Sequence, residues 1–90
     1  MFVIKDLIVT FPSTNHAILG ESLLLKHKCE VKVMPLPSLL RAGCGLCLRI
    51  SPEEIAPSLT LLKERGVVVD GLYRATVCDG KTTYEEECLT

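Results

Sequence analysis

The apolar and polar positions of the chain form six regular segments, of which four predict β-strands. Residues 7–11 are apolar on both faces, which is typical of a central strand. Residues 30–33 alternate cleanly and predict an edge strand with one solvated face. Residues 46–50 alternate apolar side chains with Cys47 and Arg49, and residues 67–77 supply the last strand.

The other two segments predict helices. Pro12 ends the first strand, and Ser13 and Thr14 offer hydroxyl groups for capping a helix N-terminus. That helix would bury a face formed by Leu19, Leu23 and His27 together with Gly20 and Leu24. The second helix begins at the capping sequence SPEE of residues 51–54, carries an apolar stripe and ends at Gly66.

The resulting β-α-β-β-α-β order predicts one ferredoxin-like α+β domain over residues 1–77. Its antiparallel sheet would have the strand order 4-1-3-2, with both helices on one face. Residues 78–90 are polar and acidic, and we expect them to form a loose tail. Since strands one and three are antiparallel neighbours in this topology, Ser13-Thr14 would lie beside Cys44-Gly45.

Composition narrows the function classes. Ten basic and eleven acidic side chains nearly balance and form no basic stripe, and only four aromatic residues are present, so no nucleic-acid partner is expected. No apolar run approaches the ~18 residues of a membrane helix, and charge interrupts the N-terminus before a signal-peptide core could form. Five cysteines without an export signal are expected to be reduced, as in a cytoplasmic protein.

Cys44 is the first candidate for chemistry. It opens the third strand between Gly43 and Gly45, which would give the thiol access and allow unusual backbone angles. A helix N-terminus beside it would stabilise the nucleophilic thiolate. The alternative is a buried small apolar side chain at the head of a strand. His16 would lie nearby, either exchanging a proton or pairing with the thiolate, or simply exposed.

Cys44 and Cys47 have the spacing of a redox or metal-binding pair. Residues three apart in a strand point to opposite faces with Cα atoms about 10 Å apart. A disulfide needs Cα atoms within about 7 Å, so only a turn or bulge at Gly45 would bring the two sulfur atoms together.

A metal site is not expected, because structural zinc prefers two close ligand pairs and the chain has no second CxxC. No bound cofactor is expected either. The remaining candidate ligands are scattered along the sequence: His16, His27, Cys29, Cys78 and Cys88.

Four short motifs resemble the selenium/sulfur (Se/S) carrier protein-like family, a small domain of unknown function found in bacteria. They are FPSTNHA at 11–17, PLP at 35–37, CGL at 44–46 and GLYR at 71–74. The resemblance implies that the family's Cys-Gly pair corresponds to Cys44 and Gly45, which makes Cys44 the candidate carrier residue, and that Ser13, Thr14 and His16 match the family's polar positions. The family commonly has an arginine after the second proline, where this chain has Ser38, with Arg41 further on.

The leading hypothesis is therefore a carrier protein rather than a turnover enzyme. Cys44 would receive sulfur or selenium from a cysteine-desulfurase-like donor as a persulfide or perselenide and pass it to an acceptor protein. Cys47 would resolve or protect this intermediate. The alternative is a non-catalytic assembly domain with structural cysteines, which forms a homodimer or binds a partner through the helix-free face of the sheet.

Overall fold

The computed structural model describes residues 4–40 and 43–87, with the backbone alone for Ile4, Lys5 and Cys78. Five strands and two helices follow one another as β1 (Ile4–Thr10), α1 (Thr14–Lys26), β2 (Val31–Pro35), β3 (Leu46–Ile50), α2 (Pro52–Glu64), β4 (Gly71–Cys78) and β5 (Lys81–Glu87). The strands form one antiparallel sheet in the order β2-β3-β1-β4-β5. Within these ranges, neither helix is long and apolar enough to cross a membrane.

The α+β class and the antiparallel sheet are confirmed, but the order 4-1-3-2 does not describe the whole sheet. The observed order starts β2-β3-β1-β4, and β5 then pairs with the other side of β4. Both helices pack on one face, because Ala17 and Leu24 of α1 and Leu62 of α2 share a core with Val9 and Leu48. The last predicted strand also begins later, at Gly71.

The prediction of a loose tail is wrong for residues 79–87. Asp79 and Gly80 have φ angles of 53° and 77°, which is the backbone of a tight two-residue hairpin turn. This turn folds β5 back along β4, and Tyr84 comes to lie opposite Ala75. Cys88, also in the predicted tail, lies outside the described residues.

The helix-free face of the sheet is covered in part by the segment that joins β2 to β3. Leu40 is buried with Ile8, Cys47 and Ala75, and the partly buried side chains around them are Met34, Leu36, Tyr73 and Tyr84. Ile8 is therefore only 1% exposed within a single chain. Packing within the chain therefore accounts for the apolar side chains of β1 on this face, and a dimer through the helix-free face stays a prediction.

Helix α1 is rotated relative to the prediction. Its buried residues are Ala17, Gly20 and Leu24, whereas Leu19 is 58% exposed and His27 is exposed. Small residues set this orientation, because a side chain on Gly20 would approach the Phe11 ring to 3.2 Å. The absence of a side chain at Gly20 thus lets the helix pack closely on Phe11.

Both helices end in the same hydrogen-bonded motif, in which one residue takes a left-handed conformation. After α2 that residue is Gly66, with a φ of 77°, and after α1 it is Lys28, with a φ of 63°. The N–H group of Cys29 donates to the Leu24 carbonyl at 2.9 Å, which is the 6→1 hydrogen bond of a Schellman motif. Lys28 therefore occupies a position that favours glycine.

Replacing Lys28 by glycine should stabilise the protein by about 1 kcal/mol, because the left-handed strain exceeds the entropy that glycine adds to the unfolded chain. Urea unfolding measures the change. Lys26→Gly, in the last turn of the helix, is the matched control and should destabilise by about 1 kcal/mol. Equal losses in both variants would contradict the argument.

Candidate functional site

At one end of the paired strands β1 and β3, the start of α1 lies next to the segment that carries Cys44. We call this end of the sheet the Cys44 edge. The β1–β3 pairing ends with Thr10 opposite Cys47, so both strands end at this edge. A Cβ atom added to Gly43 would lie 2.1 Å from the Pro12 carbonyl oxygen and 2.7 Å from its carbon. The segment before β3 therefore rests directly on the Pro12 peptide, one residue before α1 is capped.

The two glycines beside Cys44 differ in their surroundings. Gly45 does not have a positive φ, so the unusual backbone angle expected there is not observed. Gly43 is needed for the close approach to Pro12, whereas a Cβ on Gly45 would meet no atom within 4 Å. The Gly45 carbonyl accepts a 2.8 Å hydrogen bond from the Leu36 N–H group, which extends the β2–β3 ladder by one step.

The Cys44 thiol is half-buried and packs against the helix-side core. Its Sγ donates to the Leu46 carbonyl oxygen at 3.2 Å. Within residues 4–40 and 43–87 no hydrogen bond joins this sulfur to the first turn of α1, where we had expected it. The carbonyl acceptor suits a protonated thiol, because a thiolate has no proton to donate.

The first turn of α1 uses its polar groups in local contacts. The Ser13 hydroxyl accepts from the His16 N–H group at 3.4 Å and so caps the helix, as the sequence predicts. His16 Nδ1 accepts from the Val68 N–H group at 3.2 Å, which ties α1 to the segment after α2. A neutral imidazole with this bond carries its proton on Nε2. Thr14 is exposed.

Cys47 lies on the opposite face of the sheet from Cys44. It is fully buried among the residues under Leu40, and its sulfur lies 3.7 Å from the Met34 carbonyl oxygen. Burial, and to a lesser extent the charge of an ionised Cys44, raises the pKa of the Cys47 thiol to about 11. The structure thus does not pair these two cysteines, and both are free.

This raised pKa predicts a loss of stability in alkali. The folded chain holds the Cys47 proton up to about pH 11, whereas the unfolded thiol releases its proton near pH 9.0. The free energy of unfolding should therefore fall by roughly 2–3 kcal/mol more between these pH values than in Cys47→Ala. Urea titrations of both proteins at several pH values measure this difference, and parallel pH profiles would contradict it.

The remaining cysteines lie away from this edge, or their side chains lie outside the part of the chain that the structure describes. Cys29 follows the C-terminus of α1 and is half-buried. The Cys78 backbone belongs to β4, and Arg41 and Cys88 lie outside the described residues. In the part of the chain that the structure describes, no group of three His, Cys, Asp or Glu side chains is arranged to hold a metal ion.

Three contacts at the site escape sequence reasoning: those of the Pro12 carbonyl, the Leu46 carbonyl and the Val68 N–H group. All three are backbone groups, and no residue pattern marks a backbone group as a partner. Pro12 gives the clearest signal, since a proline between a strand and a capping serine fixes where the chain turns.

Residues 6–74 match the model of a family described as "Putative Se/S carrier protein-like". The match extends from β1 into β4 and contains the whole of the Cys44 edge, while β5 lies beyond it. No curated protein and no solved structure matches the chain.

Proposed function

This chain belongs to the Se/S carrier protein-like family, and we propose that it carries sulfur or selenium on Cys44 as a persulfide or perselenide. The position of Cys44 is the observation that supports this role. Its thiol is half-buried at the edge where its loop touches the start of α1, whereas Cys47 is fully enclosed. A carrier residue must be reachable by a partner and sheltered from water between transfers.

Loading is an exchange between a thiolate and a persulfide or perselenide that needs no external oxidant, because Cys44 is oxidised as the donor cysteine is reduced. The Cys44 thiolate attacks the outer sulfur or selenium atom of a persulfide or perselenide on the donor. The donor's bond to that atom breaks as the bond to Cys44 forms, and the donor leaves as a thiolate. The acceptor removes the atom by the same step in reverse. The donor would be a cysteine-desulfurase-like enzyme, and the acceptor a second protein.

The surroundings of Cys44 suggest how the thiolate arises. In its thiol form the side chain donates to the Leu46 carbonyl, and a thiolate would be repelled by that oxygen. Deprotonation therefore accompanies rotation of the side chain away from Leu46, towards the α1 N-terminus, whose first N–H groups lack intrahelical acceptors. His16 keeps the helix start in place through Val68.

Cys47 has no part in this transfer. Its side chain faces the other side of the sheet, and its raised pKa keeps it protonated at neutral pH. The resolving role that the CxxC spacing suggested would require the two sulfur atoms to meet across the sheet. We assign Cys47 to the packing under Leu40 instead.

Site-resolved mass spectrometry tests the proposal. The full chain is incubated with a cysteine desulfurase and either L-cysteine or L-selenocysteine, alkylated, digested and mapped. The additional sulfur or selenium atom is expected on the peptide that contains Cys44, and the two substrates identify the cargo. Cargo on Cys29, Cys47, Cys78 or Cys88, or on no cysteine, would overturn the carrier mechanism.

An assembly role through the helix-free sheet face stays a prediction. Light scattering at high micromolar concentration measures it directly. The structure offers it less support than the carrier role has, because Ile8, Cys47 and Ala75 are already covered within one chain.

A further inference from the structure

Gly43 lies so close to the Pro12 backbone that a Cβ atom at this position would overlap it, and we propose that Gly43 is a positioning residue for Cys44. With no side chain at residue 43, the chain passes over Pro12 at a distance that no other residue allows. The next residue is Cys44. The contact therefore fixes the thiol relative to the N-terminus of α1, in addition to the β2–β3 pairing that the Gly45 carbonyl extends.

The size of the clash shows how tightly this position is specified. A Cβ atom on Gly43 would lie 2.1 Å from the Pro12 oxygen and 2.8 Å from its Cα. Carbon and oxygen normally approach to about 3.3 Å, so alanine would force the two segments apart by about 1 Å. Neither segment can yield through a rotamer change, because the atoms of Pro12 that are contacted belong to the backbone.

Pro12 itself has little freedom to move. It lies between Phe11, which is fully buried, and Ser13, which caps α1. The strain of an alanine would therefore fall mainly on the segment that carries Cys44. Displacement of a reacting group by about 1 Å can cost about a hundredfold in rate.

Gly45 provides the matched control. It is two residues away, on the other side of Cys44, and a Cβ there would meet open space. Gly43→Ala and Gly45→Ala make the same chemical change and cause a similar loss of flexibility in the unfolded chain. Any difference between them reports the contact with Pro12.

The test compares three properties of wild type, Gly43→Ala and Gly45→Ala: urea unfolding, the pH profile of Cys44 alkylation by iodoacetamide, and the rate of loading from a cysteine desulfurase. For Gly43→Ala we expect the rate of Cys44 alkylation at neutral pH to fall at least threefold, and loading to fall at least tenfold. Gly45→Ala should match wild type in both. A folded Gly43→Ala that matches wild type in both would overturn the proposal, as would a change in unfolding alone.

A measurement on the unmodified protein keeps the proposal falsifiable if Gly43→Ala does not fold. In the nuclear magnetic resonance spectra of wild type, we expect an Overhauser effect between the α-protons of Gly43 and Pro12. The amide signals of Thr14 and Asn15 should shift when Cys44 is alkylated. Absence of either result would overturn the positioning role.

Only the loading measurement rests on the proposed function. If wild type accepts no sulfur or selenium, the carrier proposal fails, and the alkylation profiles and the Overhauser effect still decide the role of Gly43. If wild type loads and Gly43→Ala loads equally well with an unchanged profile, the carrier proposal stands and the positioning role fails.

Discussion

Replacing Cys44 by serine should abolish the loading of sulfur or selenium while changing the free energy of unfolding by less than about 1 kcal/mol. A serine hydroxyl can donate to the Leu46 carbonyl as the thiol does, so the local structure should persist. It cannot form the persulfide. Mass spectrometry after reaction with a cysteine desulfurase measures the loading, and urea unfolding measures the stability.

Cys47→Ser is the matched control, and its effects should be the reverse. Cys47 is fully buried in an apolar cluster, so placing a hydroxyl there should cost about 1–2 kcal/mol of stability. Loading should persist, because the Cys47 side chain lies on the opposite face of the sheet from Cys44. A variant Cys44→Ser that still loads, or a folded Cys47→Ser that does not, would contradict the assignment of the carrier residue.

The site could be predicted from the sequence only as far as topology determines it. Antiparallel neighbouring strands bring the end of β1 to the start of β3, and from this topology the sequence predicts that Ser13 lies near Cys44. The orientation of the Cys44 thiol depends on a side-chain torsion that no pattern specifies. The His16–Val68 bond joins residues far apart in the chain, and such a contact leaves no periodic signal.

The segment that packs over Cys47 could not be predicted from the sequence, for a different reason. Alternation along β3 correctly placed Cys47 and Cys44 on opposite faces of the sheet. Residues 35–40 (PLPSLL), however, have no helical or strand period, so the sequence does not show that Leu40 folds back while Leu39 is exposed. Prolines interrupt this segment, and its conformation follows from tertiary packing.

Strand β5 was missed although the sequence contained its signal. Residues 81–87 are polar on both faces, and their three glutamates suggested a solvated tail. Edge strands are commonly polar and charged, since exposed apolar edges promote aggregation. The dipeptide Asp79-Gly80 is the informative feature, because it favours the two-residue turn that the structure contains.

Removing β5 should cost the protein about 3–5 kcal/mol, a large part of the roughly 5–13 kcal/mol typical of a domain this size. A chain that ends at Cys78 loses the whole β4–β5 ladder, the packing of Tyr84 and the hydrogen bond from Arg74 Nε to Glu87 at 3.1 Å. It also exposes the edge of β4, so aggregation during refolding should increase. Urea unfolding and light scattering measure the two effects.

Two controls separate the strand from the residues around it. A chain that ends at Glu87 keeps β5 and should unfold within about 0.5 kcal/mol of the full chain. On β5 itself, Tyr84 packs against the cluster of the helix-free face, while its neighbour Thr83 is exposed. Tyr84→Ala should therefore cost about 1–2 kcal/mol and Thr83→Ala less than about 0.5 kcal/mol.

If the chain that ends at Cys78 unfolds at the same urea concentration as the one that ends at Glu87, β5 adds nothing to stability. Its pairing with β4 would then be too weak to protect that edge.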